Sequence, residues 1–314
     1  MLQKTWHCDD SRPIPGLIQE HAIVPIPGPG ELLIQIHAAG ITPTELLWYP
    51  STHTQSGENR RNAIPGHEFS GVVVAVGSDA GPDFSVGQAV FGMNDWFASG
   101  ATAEFCCTRM SSVAPKLARL THAAAATVPI GALTAWQGLF DRVQLQPGER
   151  VLIHGGSGAI GVLAIQLAVW RGAQVWTTAS ARHQDLLIRL GAQRVIDYRT
   201  ERFEDIVKEV DVVFDGVGGA TLQRSWNVFG TAGRLVTVAT SSEATEDERT
   251  KQAFFIVEPS GTQLCEIASL FDSGILQPVV NAVVPFDQAA LAYLNQSMPK
   301  HGCGKTVISL IHGG

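Results

Sequence analysis

Cysteine is scarce in this sequence, and its placement excludes the common cysteine-based architectures. Five cysteines are scattered over 314 residues, and no two have C-x-x-C spacing. Disulfide-rich extracellular scaffolds and four-cysteine zinc lobes both need closely spaced cysteines. We therefore expect reduced thiols that pack as small apolar side chains.

Long apolar runs and basic runs are also missing from the sequence. No stretch reaches about 18 uninterrupted apolar residues, so no membrane span is expected. The net charge is −7, from 22 basic and 29 acidic residues, without a basic cluster. This balance argues against nucleic acid as a partner. The start, MLQKTWHCDD, has no apolar signal-peptide core, so we expect a cytoplasmic protein.

Two textures divide the chain, which at 314 residues is long enough for two domains. Residues 1–120 contain short apolar or alternating runs such as FSGVVVAVGS (69–78), which predict a compact β-rich domain. From residue 121 onward, predicted strands and helices alternate, as in RVLIHG (150–155) and AIGVLAIQLAVWRG (159–172). This alternation is typical of βαβ units that build a buried parallel sheet.

A β-like texture returns after residue 285 and ends in GKTVISLI (304–311). We predict that this last segment rejoins the first domain. The predicted fold class is α/β, with a β-rich substrate domain at residues 1–120 and 285–314. A doubly wound parallel sheet at residues 121–284 would be inserted into it, with the substrate cleft between the two domains.

The most informative motif is a glycine-rich loop in VLIHGGSGAIGVLAIQLA (151–168). Gly156, Gly158 and Gly161 have G-x-G-x-x-G spacing between a predicted strand and helix, which is the context of a dinucleotide-binding fingerprint. In this interpretation Gly156 makes the tight turn, Gly158 lets the backbone approach the pyrophosphate, and Gly161 allows close helix–strand packing. The helix N-terminus would hold the phosphates, which places the cofactor on Gly156, Ser157, Gly158, Ala159, Ile160 and Gly161.

The end of the next predicted strand, TTASARHQ, indicates which dinucleotide is bound. An NAD site usually has an acidic residue there, whereas the first acid here, Asp185, lies inside the next helix. Ser180, Arg182 and His183 instead suit a 2′-phosphate, because charge-assisted hydrogen bonds recognise it. We therefore predict NADPH, with Tyr198 near the adenine end. The alternative is that Arg182 is an ordinary solvated residue at a helix start.

Seven motifs follow one another along nearly the whole chain, in the order IPGHEFSGVVVAVGSDA, VGQAVFG, GATAEF, AAAATVPIGALTAWQGL, GERVLIHGGSGAIG, LGAQRVIDYR and GKTVI. Their joint order resembles the medium-chain dehydrogenase/reductase superfamily, and within it the zinc-independent quinone oxidoreductase branch. The resemblance implies a GroES-like domain that is discontinuous in sequence, plus an inserted Rossmann domain. It also implies reduction of quinones or of conjugated C=C bonds in enones and enals, mostly with NADPH, by a homodimer.

The resemblance assigns further cofactor contacts outside the glycine loop. Thr134, in PIGALTAW, matches a position that contacts the nicotinamide half of the cofactor. Val217 and Gly218, in FDGVGG, match a loop that passes under the nicotinamide ribose. The stretch AFFIVEPS matches one whose backbone meets the carboxamide, here at Phe255 and Ile256. An ordinary buried strand is the alternative for that stretch.

The same resemblance argues against a metal site. A catalytic zinc needs three protein ligands with N, S or O donors. The metal enzymes of the superfamily have a cysteine where this chain has Thr42, a histidine at His67, and a cysteine or acid near Ile130. Glu68 is a possible second ligand and Glu45 a conceivable substitute, but no metal is expected. The alternative role for His67 and Glu68 is local hydrogen bonding.

We therefore predict hydride transfer from NADPH to a quinone or to the β-carbon of an enone or enal. The candidate proton donors or oxyanion partners are Thr42, Tyr49 and His67. An apolar wall for a planar acceptor would come from Trp48, Trp96 and Phe97. The two alternative functions are a zinc-type alcohol dehydrogenase and a non-catalytic NADPH-binding protein.

Overall fold

The computed structural model describes residues 1–9, 16–79, 83–294 and 302–311. Its strands, in chain order, are β1 (Leu2–Asp9), β2 (Gly16–Ile23), β3 (Glu31–Gly40), β4 (Glu68–Val76), β5 (Ala89–Met93), β6 (Phe105–Arg109), β7 (Val113–Pro115), β8 (Arg150–His154), β9 (Gln174–Ala179), β10 (Arg194–Asp197), β11 (Val210–Asp215), β12 (Phe229–Thr237), β13 (Val280–Pro285) and β14 (Lys305–Ser309). Its α-helices are α1 (Tyr49–Thr52), α2 (His122–Ala125), α3 (Pro129–Trp136), α4 (Gly161–Trp170), α5 (Gln184–Arg189), α6 (Phe203–Ile206), α7 (Gly219–Ser225), α8 (Glu248–Ala253), α9 (Gly261–Asp272) and α10 (Ala289–Tyr293).

The chain divides into two compact units. The first unit comprises Met1–Ile130, Pro259–Asp272 and Pro278–Gly314. The second unit comprises Gly131–Glu258 and Ser273–Gln277. The second unit therefore begins later and ends earlier than the segment 121–284 that the sequence assigns to the inserted domain.

Besides α2, two elements that the sequence assigns to the inserted domain, β13 and α9, belong to the first unit because of their contacts. Strand β13 pairs in parallel with β14, which is itself paired with β3. Helix α9 begins with Gly261 against the segment that precedes β7, and a Cβ on this glycine would lie 2.9 Å from the carbonyl oxygen of Ser111. Neither contact can be read from local sequence patterns.

The main sheet of the first unit has the strand order β13-β14-β3-β4-β5-β7, and β6 also pairs with β3. Strand β3 shows the alternation expected of a strand with one buried face, because successive side chains point to opposite sides. Leu32, Ile34 and Ile36 are buried and pack in one core with Phe69 and Val73 of β4. Strands β1 and β2 form a separate antiparallel pair. The predicted β-rich domain is confirmed.

The second unit is built on a parallel sheet with the strand order β10-β9-β8-β11-β12. Its central strand β8 is buried from Val151 to His154, and Val151, Leu152 and Ile153 are fully inaccessible to solvent. Such uninterrupted apolar strands are typical of sheets covered on both faces. The strand order reverses between β8 and β11, which makes the sheet doubly wound, as predicted. In such sheets ligands bind at the carboxyl ends of the strands beside this reversal.

The Ala-rich segment at residues 122–142 is helical with a break before Pro129. Proline has no N–H to donate and sits well at the start of a helix, so α2 ends before it and α3 begins with it. A π-helical turn, Gln137–Arg142, directly continues α3. By length and composition alone this segment could cross a bilayer, but its most apolar 18 residues are 78% buried inside the protein, as in a core helix.

Candidate active site

The glycine loop joins β8 to α4. Its tight turn is made by Gly155, whose φ of 78° lies in the left-handed region that favours glycine. Gly156 lies inside the same turn, as the sequence predicts, because the N–H of Gly158 closes the turn on the carbonyl oxygen of Gly155 at 2.9 Å. Gly156 is constrained for a different reason: a Cβ there would collide with the hydroxyl group of Thr177 on β9.

The other two glycines of the motif differ in their surroundings. A Cβ on Gly161 would lie 2.7 Å from the Cα of Gly156, so α4 can start this close to the loop only with glycine. The close packing at Gly161 is thus between the start of α4 and the loop that follows β8. A Cβ on Gly158 would meet only the carbonyl oxygen of Gly155, at 3.3 Å. Gly158 is exposed, so the loop backbone is open to an anionic group at the N-terminus of α4.

This difference predicts two distinct results for alanine substitutions. Gly161→Ala should destabilise the protein by about 1–3 kcal/mol, since the added methyl group overpacks the loop, and should weaken dinucleotide binding. Gly158→Ala should weaken binding with little change in stability. Urea unfolding and dinucleotide fluorescence titration of both variants check this. Equal loss of stability in the two variants would contradict the assignment.

A cavity of about 430 Å³ lies at the carboxyl ends of the parallel strands, inside the second unit. Its walls come from the glycine loop and from the ends of β9, β10 and β11. They include Ser157, Ala179, Tyr198, Val217, Thr221 and Arg224. Three of the predicted cofactor residues, Ser157, Tyr198 and Val217, therefore line one cavity. Its position is where a doubly wound sheet binds a nucleotide.

Arg182 lies just after β9, in a 3₁₀ turn (Ala181–His183) that precedes α5. Its side chain is exposed, and its Nε–H donates a 3.2 Å hydrogen bond to the hydroxyl oxygen of Ser180, which is buried. Within the described ranges, the two terminal nitrogens of this guanidinium have no hydrogen-bond partner. Asp185 lies inside α5, as predicted from the sequence. The strand end thus presents a guanidinium and no carboxylate.

The predicted loop at Val217 and Gly218 is held by a residue that the sequence analysis did not single out. Asp215, fully buried at the end of β11, accepts the backbone N–H of Val217 at 3.1 Å and that of Gly218 at 3.0 Å. It also accepts the hydroxyl hydrogen of Thr237 at 2.8 Å. An acid at the end of an apolar strand was the available signal. Asp215 fixes the loop, while Val217 itself is 51% exposed and available to a ligand.

The remaining predicted cofactor residues have mixed surroundings. Thr134 on α3 and Phe255 are buried, whereas Ile256 is 51% exposed. The N–H of Phe255 donates to the carbonyl oxygen of Thr237 at 3.2 Å, so it is committed to a backbone bridge. Only the carbonyl side of Phe255 is left for the proposed carboxamide contact. Ala159, Ile160 and His183 are partly exposed.

A buried histidine contacts Thr178, one of the residues that line the cavity. His154 ends β8, and its Nε2–H donates to the hydroxyl oxygen of Ser225 at 2.9 Å, because that hydroxyl already donates to the carbonyl oxygen of Thr221. Its Nδ1 accepts from the hydroxyl of Thr178 at 3.0 Å. Burial, helped by the charge of Arg224, lowers the pKa of His154 to about 3. This ring is therefore a neutral structural group.

Acid should destabilise the protein through two such histidines. Burial, with His37 and Lys116 adding to it, lowers the pKa of His122 to about 4. Below pH 6.5, the ordinary pKa of histidine, the unfolded chain binds protons at His122 and His154. In the folded protein these two side chains stay neutral to lower pH because their pKa values are lowered. Stability is thus complete above about pH 6.5 and falls below it, by up to about 1.4 kcal/mol per pH unit for each ring.

Urea unfolding between about pH 7.5 and 4.5 checks this pH dependence. His154→Gln retains groups that can hydrogen-bond to Thr178 and Ser225 but cannot take up the proton. Its stability should depend less steeply on pH than that of the wild type. An unchanged slope would exclude His154 as one of the titrating groups.

In the first unit, both ring nitrogens of His67 are engaged. Its Nε2–H donates to the carbonyl oxygen of Trp96 at 3.0 Å, and its Nδ1 is paired with the carboxylate of Glu45. The same carboxylate oxygen accepts the backbone N–H of Gly66 at 2.7 Å. Glu45 thus faces His67 within the unit, and both side chains are buried. His67 has the local hydrogen bonds that the sequence analysis gave as its alternative role.

Glu68, the residue after His67, belongs to a second network of polar contacts. The carboxylate of Glu68 forms a buried ion pair with Lys305 and accepts the backbone N–H of Ile130 at 3.0 Å. The Nζ of Lys305 also donates to the hydroxyl oxygen of Thr42 at 2.8 Å. Burial raises the pKa of the Glu68 carboxyl, and the charge of Lys305 opposes that rise. We call Thr42, Glu68 and Lys305 the ammonium cluster.

The three residues predicted to act in catalysis are not joined by hydrogen bonds to one another in the described part of the chain. Thr42 belongs to the ammonium cluster and His67 to the pair with Glu45. Tyr49 is 50% exposed, and its ring stacks on that of His53 with centroids 4.5 Å apart. Within residues 1–9, 16–79, 83–294 and 302–311, no group of three or more His, Cys, Asp or Glu side chains is arranged to hold a metal ion.

The predicted aromatic wall is partly assembled. The rings of Trp48 and Trp96 meet edge to face with centroids 5.0 Å apart, and the ring of His67 lies 5.1 Å from Trp96. Phe97 is half-buried next to Trp96 in the chain. Arg60 links the segment that contains Trp48 to the segment that contains Trp96. Its guanidinium donates to the carbonyl oxygens of residues 50 and 98 at 2.8 and 2.7 Å.

Two family models match the chain. The Alcohol dehydrogenase GroES-like domain matches residues 28–141, and the Zinc-binding dehydrogenase family matches residues 190–308. The NAD(P)H oxidoreductase RTN4IP1, mitochondrial, of Mus musculus is 30% identical, over 90% of this chain and 82% of that protein. The 2-methylene-furan-3-one reductase of Solanum lycopersicum is also 30% identical, over 90% of this chain and 72% of that protein.

The fold has close structural relatives as well. The quinone oxidoreductase from Coxiella burnetii superposes with a TM-score of 0.85 at 27% identity, covering 99% of this chain and 100% of that one. The likeness extends over both units, as does that of the two relatives. The sequence motifs, the doubly wound sheet and these matches agree: the chain belongs to the medium-chain dehydrogenase/reductase superfamily and is an oxidoreductase.

Proposed function

We propose that this protein is a zinc-independent, NADPH-dependent reductase that transfers hydride to a quinone or an α,β-unsaturated carbonyl compound. The observation that carries the proposal is the ammonium group of Lys305. It donates to Thr42, the residue matched to a cysteine ligand of the superfamily's metal enzymes. A cation at that place repels a second cation such as Zn²⁺ and itself supplies positive charge beside the hydroxyl group.

The hydrogen bonds of His67 also support a reductase that works without zinc. A zinc ligand must offer a ring lone pair, and metal binding displaces the proton that occupies it. Here Nε2 carries its proton toward the carbonyl oxygen of Trp96, and Nδ1 faces Glu45. Binding a metal through His67 would leave one of these buried partners without its hydrogen bond, at a cost of about 1–3 kcal/mol.

The second unit fits a dinucleotide. Its glycine loop has no Cβ at the point of closest approach, the N-terminus of α4 is open, and the cavity beside it has room for a nucleoside. Arg182, supported by Ser180, would hold the 2′-phosphate that distinguishes NADPH from NADH. When bound, the nicotinamide supplies the hydride, and the protein orients it and excludes water.

The choice of acceptor follows from the lack of a Lewis acid in this proposal. A conjugated acceptor delocalises the incoming electron pair, so it needs less electrophilic assistance than a simple carbonyl. Trp48 and Trp96, whose rings meet edge to face, would offer apolar aromatic contacts to such a molecule. Two relatives carry names that mention a quinone and 2-methylene-furan-3-one, which is itself a conjugated ketone.

Oxidation of NADPH tests the proposal directly. We expect turnover with benzoquinone, phenanthrenequinone or a simple enone, and little oxidation of simple alcohols by NADP⁺. Tight NADPH binding without turnover of any acceptor would favour a non-catalytic binding protein. Alcohol oxidation that disappears on chelation would favour a zinc-type alcohol dehydrogenase.

We also propose a homodimer located in the cytoplasm, on the basis of the family resemblance. Light scattering of the purified protein tests the dimer. A monomer at micromolar concentration would contradict it.

A further inference from the structure

The hydroxyl group of Thr42 has an unusual set of neighbours for its position. Thr42 precedes a 3₁₀ turn, Pro43–Leu47, where threonine commonly caps the turn by accepting a backbone N–H. Its side chain makes no such capping bond. Instead it accepts a hydrogen from the Nζ of Lys305 at 2.8 Å. An ammonium group can only donate, so the Thr42 oxygen is the acceptor and its own hydrogen points elsewhere.

That hydrogen is available to a ligand. Among the residues that the structure describes, the O–H of Thr42 has no acceptor, and the residue is partly exposed. A hydroxyl that accepts from a cation is polarised, which strengthens the hydrogen bond that it donates. Thr42 is therefore set to donate to an oxygen atom that gains negative charge.

Lys305 is held in place to maintain this arrangement. Its side chain is buried, and its ammonium is paired with Glu68, which is fixed in turn by the N–H of Ile130. A lysine free to rotate would lose this geometry, because its stem has four rotatable bonds. The carboxylate thus anchors the ammonium beside Thr42.

The other two candidate donors are engaged differently. The Nε2–H of His67 is committed to Trp96 and its Nδ1 faces Glu45. The ring of Tyr49 stacks on that of His53 at the surface of the first unit. Of the three, Thr42 combines an available hydrogen with a fixed cation behind it.

We propose that the hydroxyl of Thr42 donates a hydrogen bond to the carbonyl oxygen of the acceptor, and that Lys305 is a positioning residue acting through Thr42. This inference rests on the proposed reduction of a carbonyl acceptor. NADPH would supply the hydride: a C–H bond of its nicotinamide would break, a new C–H or O–H bond would form on the acceptor as a π bond breaks, the displaced electron pair would reside on an acceptor oxygen, and the coenzyme would be left as NADP⁺. Thr42 stabilises that oxyanion without giving up its proton, and water supplies the proton that completes the reduction.

A stable oxyanion tests this site without turnover. 4-Nitrophenol can be titrated into the full-length protein with NADP⁺ present, and its absorbance reports how much of the bound phenol is ionised. In the wild type the bound phenol should be ionised about tenfold more readily than the free phenol. Thr42→Val should abolish most of this preference, whereas Thr42→Ser, which retains the hydroxyl, should preserve it.

The lysine is tested with its charge partner removed at the same time. Lys305→Met combined with Glu68→Gln leaves no unpaired buried charge, so folding can be retained, and it should reduce phenolate binding as Thr42→Val does. Combining all three changes should add little further loss, because both residues act through one hydrogen bond. An ionised fraction that is the same in the wild type and Thr42→Val, or no bound phenolate at all, would overturn the proposal.

Turnover of the same variants separates this inference from the proposed function. With a quinone, Thr42→Val should lower kcat by roughly tenfold to a hundredfold with little change in NADPH affinity. Normal turnover by Thr42→Val would refute the role of Thr42 and leave the reductase function standing. Phenolate stabilisation in a wild type that reduces no acceptor would refute the reductase function and leave the anion site standing.

Discussion

Replacing Lys305 with methionine should lower the free energy of unfolding by roughly 3–5 kcal/mol, the usual cost of removing one partner of a buried ion pair. Glu68 is fully buried and would keep its carboxylate without a counter-charge. Methionine preserves the apolar stem of the side chain, so the loss reports mainly on the charge. Urea unfolding at neutral pH measures it.

The double variant Lys305→Met, Glu68→Gln is the matched control. Glutamine still offers an oxygen to the N–H of Ile130, and no buried charge remains, so most of the lost stability should return. A single variant as stable as the wild type, or a double variant no better than the single one, would contradict the ion-pair account.

The deficit of Lys305→Met should also depend on pH. Burial raises the pKa of Glu68, and without Lys305 nothing in the ammonium cluster opposes that rise. A carboxyl with a raised pKa in the folded state binds protons more readily there than in the unfolded chain. Relative to the wild type, Lys305→Met should therefore regain stability as the pH falls. A deficit that does not change with pH would argue that lost packing, and not charge, is the cause.

Replacing Arg182 with alanine should weaken NADPH binding about ten- to a hundred-fold, since a charge-assisted hydrogen bond contributes roughly 1.5–3 kcal/mol. NADH lacks the 2′-phosphate, so its affinity should change little. Dissociation constants for both coenzymes, measured by fluorescence titration, check this. Arg189→Ala, an exposed arginine on α5, is a control for the loss of positive charge in general.

An equal loss of affinity for the two coenzymes in Arg182→Ala would refute its assignment to the 2′-phosphate. Ser180→Ala should give a smaller change of the same kind. The serine hydroxyl accepts from the Nε–H of Arg182 and so steadies the guanidinium, while the charge itself is retained.

The strands of the parallel sheet could be predicted because strands that are buried on both faces appear in the sequence as uninterrupted apolar runs. Runs such as VLI at residues 151–153 are apolar on both faces, and glycine or aspartate ends them. Strands β1 and β2 lacked such a signal. Gln3, Thr5 and His7 of β1 are all buried. Because polar residues occupy these inward positions, the sequence of β1 lacks the alternation of apolar and polar residues that predicts a strand. Tertiary hydrogen bonds, such as that from Nδ1 of His7 to the carbonyl oxygen of residue 62, satisfy them.

The candidate site was predictable to the extent that its parts are local. The glycine loop, Ser180 and Arg182 lie within short segments, although the left-handed φ of the loop belongs to Gly155, to which the sequence assigned no role. The ammonium cluster is different, because Lys305 and Thr42 are 263 residues apart in the chain. The sequence shows a lysine in GKTVI and an acid at Glu68, but only the pairing of β14 with β3 and β3 with β4 brings them together.

We propose that this oxidoreductase works without zinc, with the ammonium group of Lys305 beside Thr42, where the metal enzymes of the superfamily have a ligand. The most direct measurement is the metal content of the purified protein alongside NADPH-dependent quinone reduction, before and after chelation. We predict far less than one zinc per chain and activity that chelation leaves unchanged. Near-stoichiometric zinc, lost together with the activity on chelation and restored with it, would contradict the account.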